Sequence, residues 1–164
     1  APELAVAAAI GALAVGIFPD GDLLVGGHRR TLHFPVLYWI PAGVAGAAAL
    51  LAPGPLTVAA AYFFVAAAVH SASDLLGAGT EARPWERTSN EAVYVHARGR
   101  WLRPRYLVRY DGAPEDLAVA GVASIPALVV YDGTVRTLAV ALVAVSVVYV
   151  LVRKRLPEIE ERYL

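Results

Sequence analysis

Long stretches of apolar residues without any charge dominate this sequence. No Asp, Glu, Lys or Arg occurs between Arg30 and Asp74, between Asp116 and Asp132, or between Arg136 and Arg153. Charged residues make up 17% of the chain and the mean hydropathy is +0.56, whereas soluble globular proteins carry roughly 25% charged residues. Apolar runs of this length predict helices that span a lipid bilayer. The chain is therefore predicted to be an all-α polytopic membrane protein.

Five segments qualify as spanning helices by length and composition. They are Glu3–Phe18, Pro35–Leu51, Leu56–Leu76, Glu115–Val130 and Val135–Val152. We expect residues 1–164 to form a single membrane domain. No basic region precedes the first of them, so a cleaved signal peptide is not expected.

The basic residues indicate how these helices are oriented. Of the fourteen Lys and Arg residues, all except Arg136 fall in loops or tails that a five-helix topology places on one side. Loops that are rich in Lys and Arg face the cytoplasm in most membrane proteins. We therefore expect the N-terminus outside, the C-terminus inside, and a location in the cytoplasmic membrane.

The long loop between the third and fourth predicted helices contains a β-hairpin pattern. Residues 80–113 include two β-rich stretches, Ala92–Ala97 and Trp101–Tyr110, on either side of Arg98-Gly99-Arg100. Gly99 suits the positive φ of a tight turn, and Pro104 favours an edge strand or a break. The pattern predicts a small, Arg-rich cytoplasmic hairpin insertion.

Six potential metal ligands fall on the same predicted side of the membrane. They are Asp20, Asp22, His28, His33, His70 and Asp74. The last two are four residues apart, so they share one face of a helix. Ionisable residues at membrane depth are costly and indicate function by default. Because the chain has no cysteine, this set predicts one or two divalent ions, most simply zinc.

Each of these residues also has a simpler interpretation. A single His or Asp in an interfacial loop is usually just a polar group among lipid headgroups. Most of the arginines are likewise explained by attraction to anionic headgroups. Arg29 and Arg30 differ, because they lie between His28 and His33 and are placed to bind a phosphate beside the metal.

The order of these residues resembles the YdjM-type family of membrane-bound, metal-dependent hydrolases. The similarity lies in "PDGD", "HRRTLH" and "HSASD" and covers roughly Pro19 to Gly79. The middle motif of that family usually reads His-Arg-Gly-x-Thr-His-Ser. Here Arg30, Leu32 and Phe34 replace its Gly, Thr and Ser, although every expected ligand type remains. A distant similarity of the family to zinc-dependent phospholipase C implies hydrolysis of a phosphoester.

The resulting expectation is a membrane metal-dependent hydrolase that acts on a phospholipid or lipid-linked phosphoester at the cytoplasmic leaflet. Asp22 or Asp74 would act as general base, and Arg29 would offset charge on phosphorus. Membrane lipids, and no nucleic acid, are the expected partners. The alternative is a non-catalytic protein in which the metal is a structural clip and the hairpin docks a partner or anionic lipid. An ion transporter is less favoured, because the ligands crowd one interface instead of the midplane.

Overall fold

The computed structural model describes residues 2–16 and 18–163, which are mostly helical. The helices are α1 (Pro2–Val15), α2 (Asp22–Val25), α3 (Trp39–Leu51), α4 (Pro55–Ser73), α5 (Pro114–Val130), α6 (Thr134–Val152) and α7 (Leu156–Tyr163). The two strands are β1 (Val93–Val95) and β2 (Arg100–Leu102). Short 3₁₀ turns cover Pro19–Gly21, Asp74–Leu76, Pro84–Glu86, His96–Arg98 and Arg153–Arg155.

The five predicted apolar segments are all helical over most of their length, as α1, α3, α4, α5 and α6. Among the described residues, three stretches are long and apolar enough to cross a membrane: Pro2–Val25, Pro55–Leu76 and Thr134–Ile159. Helix α3 is apolar but has only 13 residues, which at 1.5 Å per residue spans about 20 Å. It begins later than the sequence predicts, because residues 35–38 form turns before Trp39.

The long helices pack in two groups. Helix α4 packs against both α1 and α3, whereas α5 packs against α6, and α6 also contacts α1. The α1–α4 contact is very close at Gly11, where a Cβ atom would clash with the backbone oxygen of Ala59. Below the polar end of this pair lies a buried cluster formed by Val15, Tyr38, Ala67 and Ala68. The ends of α1 and α4 are therefore held in a fixed relation to each other.

The predicted hairpin is present and short. Strands β1 and β2 are antiparallel, with Val93 opposite Leu102 and Val95 opposite Arg100. Gly99 adopts a φ of +59° in the connection, as predicted from its position. The first strand is shorter than the β-rich stretch in the sequence because His96–Arg98 form a 3₁₀ turn.

Only the start of the β-rich stretch Trp101–Tyr110 forms a strand, and the chain breaks from it before Pro104. Strand β2 ends at Leu102, two residues before Pro104, which has no N–H to donate to a ladder. The following residues instead hydrogen-bond to Leu75, Leu76 and Gly77, just after α4. The amides of Arg105, Tyr106 and Val108 donate to the carbonyl oxygens of Leu75, Gly77 and Leu76, respectively. The hairpin is thereby fastened beside the polar end of α4.

Candidate metal centre

Three separate segments supply the polar residues predicted from the sequence. Asp20 and Asp22 follow α1, in the turn Pro19–Gly21 and at the start of α2. His28 and His33 lie in the loop that leads to α3, and His70 is in the last turn of α4. Asp74 begins the 3₁₀ turn after α4. Because α1 and α4 pack side by side, these segments meet at one end of the bundle.

Asp22 is fully buried. Each of its two carboxylate oxygens contacts the Nδ1 atom of a different histidine. Its Oδ1 lies 3.0 Å from Nδ1 of His28, and its Oδ2 lies 2.8 Å from Nδ1 of His33. An Nδ1–H that donates to a carboxylate fixes the tautomer and leaves Nε2 unprotonated, and this is how metal-binding histidines are usually oriented. Asp22 therefore presents the Nε2 atoms of His28 and His33 for binding.

Three other atoms lie close to Nε2 of His33 or to one another beside it. The Nε2 of His33 lies 3.3 Å from Oδ2 of Asp74 and 3.5 Å from Oδ1 of Asp20. The same Oδ1 of Asp20 lies 3.4 Å from Nε2 of His70. One ligand atom from each of Asp20, His33 and His70 lies within 4.8 Å of the others. These three residues form a possible metal-binding triad, and Asp74 lies directly beside it.

The separations within this group suit a shared ion better than hydrogen bonds. N–H···O hydrogen bonds are usually about 2.7–3.2 Å long. Ligands held 2.0–2.2 Å from a tetrahedral ion are about 3.3–3.6 Å apart. Moreover, Nε2 of His33 and Oδ2 of Asp74 are buried and have no hydrogen-bond partner among the described residues. Nε2 of His33 is thus available as a ligand, and the Asp74 carboxylate lies 3.3 Å from it, beside the triad.

The charges at the site also favour a divalent cation. The site contains three carboxylates, those of Asp20, Asp22 and Asp74, and one guanidinium, that of Arg29, which lies beside Asp74. With neutral histidines, two negative charges remain in a partly buried place, where uncompensated charge is costly. Nitrogen and oxygen ligands with two imidazoles suit zinc and related transition ions better than calcium or magnesium.

The environment of His33 has opposing effects on its protonation. Burial of the ring favours the neutral form, but the contact with Asp20 and the negative charges of Asp74 and Asp22 outweigh it. The pKa of His33 is therefore raised above its ordinary value in the metal-free protein. A metal ion bound to His33 would displace this proton and supply positive charge in its place.

Arg29 lies at the wall of the site and connects several segments. Its Nη1 donates to the carbonyl oxygens of Ala78, Gly79 and Ala92 at 2.8, 3.4 and 3.5 Å, respectively. Its Nε lies 3.4 Å from Oδ1 of Asp74. Its own backbone is in the left-handed region, with a φ of +56°, and its carbonyl oxygen accepts from the amide of Tyr94 at 3.0 Å. Arg29 thus links its own loop, between α2 and α3, to the residues that follow α4 and to the hairpin.

Two further residues considered from the sequence lie away from the triad. The guanidinium of Arg30 lies over the ring of Tyr94, 4.7 Å from its centroid, and does not line the metal site. His96, interpreted from the sequence as a packing residue, has its ring centroid 4.4 Å from that of Phe34.

An open cleft of about 370 Å³ gives access to the metal ligands. Its lining comprises Asp20, Leu23, His28, Arg29, His70, Asp74, Asp111 and Tyr149. A volume of this order suits a small molecule or a headgroup. The cleft lies between the two groups of helices, because Asp111 and Tyr149 come from the loop before α5 and from α6.

Sequence reasoning did not single out Asp111 and Tyr149. The Tyr149 hydroxyl donates to Oδ2 of Asp111, and Arg153 donates to both oxygens of the same carboxylate, at 2.8 and 3.2 Å. Gly112, at a φ of +75°, allows the loop to approach the Tyr149 ring. A tyrosine near the basic end of an apolar helix is by default an interface anchor, so the sequence carried no signal that paired it with Asp111.

Comparison with protein-family models, with curated proteins and with solved structures finds no match for this chain. The resemblance to the YdjM-type hydrolases therefore depends on its motif residues alone. The geometry of those residues, described above, is an independent observation.

Proposed function

We propose that this protein is an integral membrane, metal-dependent hydrolase that cleaves a phospholipid or another lipid-linked phosphoester. The observation that carries the proposal is the convergence of the Asp20, His33 and His70 ligand atoms at an open cleft. The side chain of Asp20 is 41% exposed, so a substrate can reach the ligands. Membrane insertion, a cytoplasmic orientation of the cleft and membership of the YdjM-type family are parts of the same proposal.

The residues have distinct roles in this proposal. Asp20, His33 and His70 hold the ion, and Asp22 orients His33 and His28. If these residues held a divalent ion, it would supply a bound water with a pKa lowered towards 7 and would polarise a phosphoryl oxygen. His28 reaches the cleft with its Nδ1 already bound to Asp22, so its Nε2 is available to a second ion.

Proton transfer and charge stabilisation are assigned to two residues of the cleft wall. Both oxygens of Asp22 contact histidines, and this favours Asp74 over Asp22 as the general base. Oδ2 of Asp74 has no hydrogen-bond partner among the described residues and can accept a proton from the attacking water. Arg29, whose Nε lies 3.4 Å from Oδ1 of Asp74, offsets negative charge that develops on phosphorus.

The second candidate is a structural metal clip in a non-catalytic protein. It is favoured by the origin of the ligands, which come from three segments that an ion would tie together. A clip predicts a closed, four-ligand site without bound water, whereas an enzyme keeps a coordination position open. The exposed Asp20 and the open cleft favour the enzyme.

The test begins with the metal content of detergent-purified protein, measured by mass spectrometry. We expect about one or two zinc ions per chain, lost in the double variant His70→Ala, Asp74→Ala. The matched control is His96→Ala, Asp132→Ala, which removes the same residue types from the hairpin and from an exposed turn. Zinc-loaded protein is then assayed on lipid phosphoesters. Wild-type protein that holds no metal after supplementation would refute the proposal, and metal without hydrolysis would favour the clip.

A further inference from the structure

The second group of helices contributes a carboxylate to the lining of the metal cleft. Asp111 and Tyr149 line the same cavity as the metal ligands Asp20 and His70. The side chain of Asp111 is 40% exposed, so a molecule in the cleft can reach it. None of the roles assigned above for metal binding or hydrolysis uses this carboxylate.

The loop around Asp111 has a conformation that holds this carboxylate in place. Gly112 follows it with a φ of +75°, and a Cβ atom there would crowd the side chains of Tyr149 and Arg153. The amide of Gly112 donates to a carboxylate oxygen of Asp116 at 2.8 Å, which fixes the loop to the first turn of α5. The position of Asp111 is therefore set by the backbone as well as by its side-chain partners.

The two oxygens of the Asp111 carboxylate differ in the hydrogen bonds that they already accept. Oδ2 accepts from the Tyr149 hydroxyl and from Nε of Arg153, which together occupy its two lone pairs. Among the described residues, Oδ1 accepts only from Nη2 of Arg153, at 3.2 Å. Oδ1 therefore keeps the capacity to accept one more hydrogen bond.

The surroundings of Oδ1 determine which chemical group it can bind. An ionised carboxylate accepts hydrogen bonds and donates none, so its partner must be an O–H or N–H donor. The guanidinium of Arg153 compensates the charge of Asp111, so the donor can be a neutral hydroxyl as well as an ammonium. A phosphate oxygen would be repelled here, and its place is beside Arg29 and the metal ligands. The cleft thus offers an anion position and a separate acceptor position.

We propose that Asp111 is a specificity-determining residue, and that its Oδ1 accepts a hydrogen bond from a hydroxyl or ammonium group on the headgroup of the substrate. The inference rests on the proposed function and narrows its substrate to phosphoesters whose headgroup carries such a donor. Tyr149 and Arg153 are positioning residues that hold the carboxylate and leave Oδ1 open to the cleft. A headgroup without a donor displaces water from Oδ1 without replacing its hydrogen bond, and is therefore disfavoured.

The first test measures binding and requires no turnover. Zinc-loaded protein in detergent is titrated calorimetrically with phosphoethanolamine, glycerol phosphate and phosphocholine. The phosphate groups are alike, and phosphocholine keeps the positive charge of phosphoethanolamine but has no N–H donor. We expect at least one of the two ligands with a donor to bind about tenfold more tightly than phosphocholine, the lower end for a hydrogen bond to a charged group. The tighter of the two identifies the donor as ammonium or hydroxyl. Equal affinity for all three ligands would overturn the proposal.

Asp111→Asn tests whether this residue is the source of the preference. If the amide oxygen keeps the Tyr149 and Arg153 donors, the amide nitrogen replaces Oδ1 and can only donate. The preference should then fall below about twofold, while the zinc content remains that of wild type and shows that the variant is folded. Asp132→Asn, at an exposed turn, should keep the full preference. A preference that persists in zinc-loaded Asp111→Asn would overturn the assignment.

Tyr149→Phe provides a second variant that leaves the Asp111 carboxylate and its pair with Arg153 in place. It removes one of the hydrogen bonds that position the carboxylate. The preference for the donor ligand should fall by about threefold, as expected for the loss of one hydrogen bond. If Asp111→Asn loses its zinc, an unchanged preference in Tyr149→Phe would overturn the proposal.

Hydrolysis of the corresponding phospholipids separates this inference from the hydrolase proposal. Phosphatidylethanolamine and phosphatidylglycerol are compared with phosphatidylcholine. If all three are cleaved with equal kcat/KM and the soluble ligands bind equally, the specificity assignment is wrong and the hydrolase stands. If none is cleaved while wild-type protein prefers a donor ligand and Asp111→Asn does not, the donor-binding role of Asp111 stands and the hydrolase is wrong.

Discussion

The Nδ1 atom of His33 lies 2.8 Å from Oδ2 of Asp22, and both side chains are fully buried. The other oxygen of Asp22 holds His28 in the same way. One carboxylate thus accepts from two imidazoles, and an amide in its place has only one acceptor oxygen.

Asp22→Asn is therefore expected to weaken metal binding without removing a ligand. One histidine loses its acceptor and its preferred tautomer, and changes of this kind typically cost about 10–100-fold in metal affinity. Zinc affinity is measured by chelator competition in detergent. The control is Asp132→Asn, a substitution at an exposed turn. Equal zinc affinity in Asp22→Asn and wild type would show that Asp22 does not orient the ligands.

His33 is expected to give the metal-free protein a characteristic pH dependence. Because its pKa is raised in the folded state, it contributes stability that is fully present below its unfolded pKa, about 6.5. That contribution is lost as pH rises through the folded pKa. Zinc binding has the opposite trend, since the ion must displace the proton, so zinc affinity rises over the same range.

The measurement is the thermal midpoint of metal-free protein between about pH 6 and pH 8.5. Wild-type protein should lose more stability over this interval than His33→Gln. His96→Gln provides a control of opposite sign, because burial and then the charge of Arg30 lower the pKa of His96. Identical pH slopes for wild type and His33→Gln would contradict the assignment.

The helical segments and the candidate metal ligands could be named from the sequence because both depend on local patterns. Charge-free runs indicate helices regardless of what packs around them, and the spacing of His70 and Asp74 puts both on one face. The roles within the group depend on distances between separate segments. In the sequence, Asp20 and Asp22 are the same residue type in the same short motif. Only the folded structure shows that the Asp22 carboxylate is buried and the Asp20 carboxylate is exposed.

Other features depended on tertiary contacts that no local pattern encodes. The course of the chain after Pro104 follows from hydrogen bonds to the residues just after α4, with amides such as that of Arg105 donating to Leu75. The pairing of Asp111 with Tyr149 joins residues 38 positions apart. The length of α3 depends on where the turns after Phe34 end, and this is set by packing beneath the metal site.

The packing of α1 on α4 is expected to control the metal site from a distance. A Cβ atom at Gly11 would clash with the backbone of Ala59, so Gly11→Ala must push the helices apart. We expect a loss of about 1–3 kcal/mol in the free energy of unfolding and weaker zinc binding, because α1 leads to Asp20 and α4 carries His70. Unfolding is followed in mixed micelles with increasing SDS.

Gly46→Ala is the matched control for this prediction. Among the residues that the structure describes, no atom outside its own helix backbone and chain neighbours lies within 4 Å of a Cβ placed at Gly46 in α3. The substitution should therefore be neutral, or stabilising by at most about 1 kcal/mol through helix propensity. If Gly11→Ala matches Gly46→Ala in both stability and zinc affinity, the close α1–α4 contact is not what positions the ligands.

Arg29→Lys is expected to destabilise the loop that frames the cleft while metal content is retained. The guanidinium donates to the carbonyl oxygens of Ala78, Gly79 and Ala92 and faces Asp74, and an ammonium cannot reproduce that planar fork. Hydrogen bonds from charged donors are worth about 1.5–3 kcal/mol, so a loss of this order in the free energy of unfolding is expected. Arg98→Lys, in the exposed hairpin turn, should change it by less than about 0.5 kcal/mol. Loss of zinc in Arg29→Lys would instead mean that Arg29 is needed to hold Asp74 in place for the ion.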